Sequence, residues 1–228
     1  MRISTPILVV NFKSYLEATG KRAIQVAKTA ERISKELGVE IAVAPQYVDI
    51  PRVVEACSLP VYAQHVDPIE PGPYTGHVLS SAIAAAGAVG SILNHSEKRM
   101  KISEIEDAVR LCRSTGMISL VCSSTANISG AVSMLGPDII AVEPPELIGS
   151  GVAVSKARPQ VITSTVERIQ RANSKITVLC GAGITNGEDV RLALKLGTRG
   201  VLVSSSVIKS NNPEKVMKSF AEALLQAS

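Results

Sequence analysis

A chain of 228 residues that is 46% hydrophobic but only 3% aromatic, with no tryptophan, must pack its core from alanine, valine, isoleucine and leucine. That suits layers of small branched side chains and argues against an aromatic-rich sandwich. The net charge of +4 arises from basic residues spread singly along the chain, which excludes the clustered basic stripe of a nucleic-acid binder and leaves a mild attraction for anions.

Apolar runs alternate with amphipathic segments along the chain. Ile7–Phe12 predicts the first strand, closed by Asn11 and Lys13. Thr19 then offers a cap for a helix whose apolar positions Ala23, Val26, Ala27, Ala30, Ile33 and Leu37 follow the 3.6-residue period, with Gly38 as its stop. On the same segment Lys28, Glu31, Arg32, Lys35 and Glu36 form a solvated face. Glu40–Ala44 and Val61–Gln64 predict the next two strands, and Ser91–Asn94 a fourth that runs into His95 and Glu97. Ser103 with Glu106 reads as a capping box.

Met117–Cys122 and Asp138–Val142 predict strands five and six, the latter ending on Glu143. Thr177–Cys180 leads to Gly181 and Gly183, and a second capping box is read from Thr185 and Glu188. Gly200–Val203 leads to Ser204 and Ser205; Asn212-Pro213 opens a last helix with Val216, Phe220, Ala223 and Leu224 inward.

Most of these runs are nearly all apolar rather than alternating, the pattern of parallel strands covered on both faces. Periodicity leaves open a closed barrel or a doubly wound open sheet. Polar residues gather at the C-terminal ends of the runs, where a (β/α)8 barrel carries its functional groups. The reading is therefore one closed parallel (β/α)8 barrel domain over 1–228. The scattered Cys57, Cys112, Cys122 and Cys180 read as buried free thiols, with no metal cluster. The apolar run Ile7–Val10 is too short for a signal peptide, and no run approaches a membrane span; the expected location is the cytoplasm.

The strand-end residues fit proton transfer beside a carbonyl. That chemistry needs a carboxylate base, a neutral hydrogen-bond donor, a fixed positive charge and a phosphate site. Glu143, His95, Lys13 and the glycine/serine loops offer one of each. A helix beginning at Ser96-Glu97 would aim N–H groups at His95 and disfavour the imidazolium. His65 and His77 read as structural or interfacial.

Asn11-Phe12-Lys13, Asn94-His95-Ser96-Glu97 and the stretch from Ala141 through Glu143-Pro144-Pro145 to Gly151 resemble, in order, three signatures of the triosephosphate isomerase family. Gly72-Pro73-Tyr74-Thr75-Gly76 is similar to the loop that this family inserts into a neighbouring subunit. The resemblance spans essentially the whole chain and is greatest to the compact archaeal branch. It implies that Glu143 moves a proton between two carbons, that neutral His95 polarises the carbonyl, and that Lys13 stabilises charge. It also implies that Asn11 helps to hold the site, that Glu97 supports the rim, and that no cofactor is needed.

Phosphate would meet the backbone near Ile148 and Gly149 of a lid, at Gly181 and Gly183 of loop seven, and at Ser204 and Ser205 of loop eight. The sequence departs from the commoner pattern at Gly183, where serine is usual, and at Ser204 and Ser205, where glycines are usual. The implied partners are a phosphorylated triose and further copies of the chain, as a homodimer or homotetramer through Thr75; neither nucleic acid nor membrane is expected. Another phosphate-binding barrel would not need both the Lys13 and His95 motifs. A Schiff-base aldolase needs a desolvated lysine, and a binding barrel without activity would not keep Lys13, His95 and Glu143 together.

Overall fold

The computed structural model describes residues 4–144, 155 and 159–226. Among them the strands are β1 Ile7–Asn11, β2 Glu40–Ala44, β3 Tyr62–Ala63, β4 Gly90–Leu93, β5 Ile118–Ser123, β6 Ile139–Val142, β7 Thr177–Cys180 and β8 Gly200–Val203. The helices are α1 Lys21–Leu37, α2 Ile50–Ala56, α3 Ser80–Ala85, α4 Ile102–Ser114, α5 Ala126–Ser133, α6 Pro159–Ala172, α7 Gly187–Lys195, α8 Ser205–Ile208 and α9 Pro213–Leu225.

All strand pairs are parallel, in the order β2-β1-β8-β7-β6-β5-β4-β3. The two ends of that order meet through a bridge between Val43 and Val61 and a 3.1 Å bond from the Val43 N–H to the Pro60 carbonyl. The sheet thus closes on itself, as the polar strand ends predict. β3 is shorter than its apolar run because Val61 is spent on this closing bridge.

Strand alternation divides the core in two. Leu8, Val10, Ile41, Val43, Ile140, Val178 and Val201 face outward into a layer shared with the helices, where Ala23, Ala27, Ala30 and Ile33 of α1 and Met217, Phe220 and Leu224 of α9 pack. Ile7, Val9, Ala42, Ala44, Ile92, Leu120, Ile139, Ala141, Leu179 and Leu202 fill the barrel, with Tyr62 as the one large ring. Tyr62 fits because Gly90 lies beneath it; a Cβ there would stand 2.5 Å from the ring. Burying each such aliphatic side chain contributes about 1.5–3 kcal/mol.

Gly38 ends α1 as expected, at φ 67° with its N–H bonded to the Ser34 carbonyl at 2.9 Å. The outer face of α1 carries Lys35–Glu31 at 2.8 Å and Arg32–Glu36 at 3.1 Å. Asn212 caps α9 by accepting from the Lys215 amide at 3.0 Å, and Phe220, Ala223 and Leu224 are buried as read, with Val216 only partly so.

Three helix starts differ from expectation. Thr19 does not cap α1, because its hydroxyl donates back to the Tyr15 carbonyl at 2.8 Å; Gly20 opens the helix, its N–H held by the buried Asp49 carboxylate at 2.8 Å. Before α4 the cap position is Lys101, whose N–H donates to Glu104 at 2.8 Å while its side chain has no acceptor to complete a box, so Ser103 already falls in the first turn. Before α7, Asn186 rather than Thr185 accepts from the Asp189 amide at 3.1 Å, and Asp189 rather than Glu188 reaches back. Asn is the stronger cap, and Asp189 lies three residues after it.

Candidate active site

The period of two that fills the barrel also builds the site. Ile7 and Val9 point inward, and the next inward position of β1 is Asn11; Ile139 and Ala141 of β6 lead likewise to Glu143. Leu179 of β7 leads to Gly181, and Leu202 of β8 to Ser204. The polar residues therefore form the top layer of the barrel filling, and Asn11, His95 and Glu143 are all buried there.

Lys13 has φ 49°, a left-handed conformation uncommon for a non-glycine residue. Its neighbours hold it there. The Lys13 N–H donates to Asn11 Oδ1 at 2.9 Å, and Gln64 Nε2 donates to the carbonyls of Lys13 at 2.8 Å and Ala44 at 3.0 Å. The ammonium Nζ meets Glu97 Oε1 at 2.8 Å.

Asn94, also left-handed at φ 55°, turns the chain out of β4; its side chain donates to the Cys122 carbonyl at 2.9 Å and accepts from the Met100 N–H at 2.9 Å. The expected helix at Ser96-Glu97 does not form. Instead the Lys98 N–H closes a turn onto the His95 carbonyl at 2.8 Å, and α4 begins only at Ile102. One part of that expectation survives: the Glu97 N–H donates to His95 Nδ1 at 3.2 Å. An imidazole whose Nδ1 accepts carries its proton on Nε2. Burial, then the charge of Lys13, holds the His95 pKa down at about 4, so the ring is neutral near pH 7.

Nε2 of His95 stands 3.7 Å from Glu143 Oε1. The Glu143 backbone is fixed by a 2.7 Å bond from its N–H to the Ser123 carbonyl, while its Oε2 is buried without a partner among the described residues. Burial raises its carboxyl pKa to about 7, against the opposing pull of Cys122, Lys13 and Arg99. A carboxylate so placed is a stronger base than one in water.

These groups open on one cavity of about 250 Å³, lined also by Tyr15, Gly181, Gly183, Ile184, Thr185, Leu202 and Ser204 to Ser206. That is below the roughly 300–1,000 Å³ of pockets for drug-sized ligands, and suits something smaller. Gly183 has φ 71°, and Thr185 is pinned by its N–H and hydroxyl to Asp189 Oδ2 at 2.9 and 2.8 Å. Ser204 Oγ is buried with no partner among the described residues. The first N–H groups of a helix have no partner within it, and those of Ser205 and Ser206 open α8 at the cavity wall. The described residues hold no group of three or more His, Cys, Asp or Glu placed to hold a metal ion.

Residues 6–222 match the family model described as triosephosphate isomerase. The chain belongs to the triosephosphate isomerase family. It is 49% identical to a triosephosphate isomerase of Methanocaldococcus jannaschii over 212 residues, covering 93% of this chain and 97% of the relative. It is 50% identical to that of Methanothermus fervidus over 213 residues, covering 93% and 96%. Among solved structures it resembles a triosephosphate isomerase of Bartonella henselae with a TM-score of 0.79 at 17% identity, covering 96% of this chain and 99% of the other, a likeness of fold.

Of the site residues read from the sequence, Asn11, Lys13, His95, Glu143, Gly181, Gly183, Ser204 and Ser205 line the same cavity, and Glu97 stands behind Lys13 and His95. Ile148 and Gly149 lie outside the described residues, as do the prolines and glycines expected to frame the lid, Pro144 excepted. Thr75 is exposed and away from the cavity. Gly181 departs from its expected part in phosphate binding: its N–H is committed to the Val142 carbonyl at 2.9 Å within the β6–β7 ladder.

Sequence reasoning gave no role to Gln64, Asp189 or Tyr15, and none beyond its motif to Asn94. Gln64 offered a signal, a polar residue ending an apolar run, but its partner is the Lys13 carbonyl, 51 residues away. His65 is buried, with Nε2 against Asp67 at 3.1 Å, and the four cysteines are buried and free, as read. No described helix is long and apolar enough to cross a membrane.

Proposed function

We propose that this cavity interconverts dihydroxyacetone phosphate and D-glyceraldehyde 3-phosphate by proton transfer, without a cofactor. The observation that carries the reading is the convergence of a buried carboxylate, a neutral imidazole and an ammonium on one small cavity. The Glu143 carboxylate takes a proton from the carbon beside the carbonyl. The C–H electron pair becomes the C=C bond of an enediolate, and the carbonyl oxygen takes up the charge. His95 Nε2–H donates to that oxygen, and Lys13 balances it electrostatically. The neighbouring hydroxyl then gives up its proton, relayed by His95 Nε2 to the former carbonyl oxygen, as the C=C pair takes the carbon-bound proton back from Glu143 at the former carbonyl carbon and a new C=O forms on the carbon that lost it. Asn11 holds the Lys13 backbone, and Glu97 orients both Lys13 and His95.

The phosphate sits where Gly183, Ser204 and Ser205 line the cavity, with Ile148 and Gly149 assigned to the lid over it. A coupled assay with glyceraldehyde 3-phosphate, on protein dialysed against a chelator, tests the whole reading. Full activity is expected, and no turnover would end it. Once the second ionisation of the substrate's phosphate, at about pH 6, is allowed for, the enzyme's own pH dependence between pH 5 and 9 should come through Glu143 alone. The ionised form is the base, so kcat/KM should rise with pH and level off above about 7. His95, at about 4, titrates below that window. A second titration of the enzyme itself between pH 5 and 9 would contradict the neutral-imidazole assignment.

The chain works as a homodimer or homotetramer in the cytoplasm. The support is the segment from Asp67 to Val78, whose neck is cinched by the Asp67 N–H to the Val78 carbonyl at 2.9 Å and the Val78 N–H to Asp67 Oδ2 at 2.6 Å. Beyond that neck residues 71–77 are exposed. Thr75→Arg would place an unpaired charge in a contact with a second copy and weaken it. Sedimentation should then show smaller species with activity reduced in step; an active monomer would remove the assembly reading.

A further inference from the structure

Gly181 lines the cavity, yet two features common to functional glycines are missing from it. Its N–H is not free for a ligand, being bonded to the Val142 carbonyl at 2.9 Å. Its backbone is not among the residues with positive φ, so no left-handed conformation demands a glycine there. What it lacks is volume. A Cβ on Gly181 would stand 2.5 Å from Glu143 Cγ, 3.0 Å from Oε1 and 3.1 Å from Cδ, and these three atoms of one side chain are its nearest neighbours. Contacts of that length are not tolerated, and the flexible partner is the Glu143 side chain itself.

We infer that Gly181 is a positioning residue for the proton transfer: its bare Cα is the seat on which the Glu143 side chain lies, and it is not a phosphate donor. The β6–β7 ladder holds the two residues side by side, through Gly181 N–H to Val142 and the register of Val142 with Cys180. With the seat open, the carboxylate stays 3.7 Å from His95 Nε2 and buried from water. A methyl group in the seat lifts the carboxylate toward the cavity mouth, changing both its distance to the substrate carbon and its desolvation. The inference rests on Glu143 being the base, which Glu143→Gln tests by itself: near-normal turnover in that variant ends the base assignment, whatever Gly181 does.

Gly181→Ala has a compatible backbone, so its cost comes from the contact with Glu143. Displacement of a reacting group by about 1 Å can cost roughly a hundredfold. The kcat of Gly181→Ala should fall by about that factor, while inorganic phosphate, used as a competitive inhibitor, keeps its inhibition constant within about twofold. The acidic limb of the pH–rate profile should move to lower pH, because a lifted carboxylate is more hydrated. In a Glu143→Gln background the same substitution should cost less than about twofold more, because the base it displaces is gone.

Three results would overturn the inference: turnover of Gly181→Ala within about threefold of the parent, an equal loss in both backgrounds, or a phosphate inhibition constant that rises in step with the loss of kcat. If Gly181→Ala does not fold, Glu143→Ala/Gly181→Ala decides. Removing the side chain that meets the new methyl group should restore folding, and a double variant that stays unfolded places the clash elsewhere and ends the inference.

Discussion

Glu143→Gln should lower kcat by at least 10²–10⁴, the usual worth of general-base catalysis, while inorganic phosphate still competes for the cavity. Gln keeps the length and hydrogen-bonding capacity of the side chain but cannot accept the proton. Glu143→Asp retracts the carboxylate by about 1 Å and should lose roughly a hundredfold. The same substitution should reveal what the base costs the fold. The folded pKa of Glu143, about 7, lies above the ordinary 4.5, so the folded state binds more protons between those values. Stability is therefore fully present below pH 4.5 and is lost as pH rises through 7. Glu143→Gln removes that penalty, so it should unfold at a higher temperature than the parent at pH 8, with the gap narrowing toward pH 5. The gain at pH 8 is on the order of 3 kcal/mol, since the shift from 4.5 to about 7 counts at about 1.4 kcal/mol per pKa unit. Thermal unfolding at the two pH values reads it. An inactive but unstabilised variant would leave Glu143 the base yet deny that it is held desolvated; an active one would mean another group moves the proton.

The barrel and most of its site were legible in the sequence because runs apolar on both faces mark covered parallel strands, and these runs end in polar residues. Val9 followed by Asn11, Ala141 by Glu143 and Leu202 by Ser204 show an inward apolar register becoming polar at the strand ends. What was not legible depends on contacts across the barrel or on space. Gln64 fixes Lys13 from 51 residues away, and nothing local in either segment announces it. The seat at Gly181 is invisible because a glycine that admits a neighbour looks the same in sequence as one that binds a ligand. The turn at His95 was read as a helix start from its Ser96-Glu97 pair, whereas left-handed Asn94 and its bond from the Met100 N–H delay the helix to Ile102. The helix caps slipped for a related reason. Thr19, Ser103 and Thr185 have the right side chains, but Asp49, Glu104 and Asn186 offer the amides better-placed partners.

Lys13→Met should cut kcat/KM by roughly 10²–10³, the scale set by removing one group that stabilises a developing oxyanion, and should do so with little change in folding. Met keeps much of the length and apolar stem while deleting the charge. The partner left behind, Glu97, is 58% exposed, so it returns to water instead of remaining as a buried unpaired charge. Ion pairs with an exposed member contribute only about 0–1 kcal/mol, and Asn11 and Gln64 grip the Lys13 backbone, not its side chain. Loss of the ammonium should also weaken inhibition by inorganic phosphate, because a positive charge would leave the cavity an anion enters. This separates Lys13 from Glu143, whose Gln variant should keep phosphate affinity. Lys13→Arg keeps the charge on a longer, planar head and should fall between the parent and Met. Steady-state kinetics, phosphate inhibition and thermal unfolding of the two variants decide the matter. A Met variant within tenfold of the parent, or one whose activity falls only as far as its stability, would confine Lys13 to a structural role.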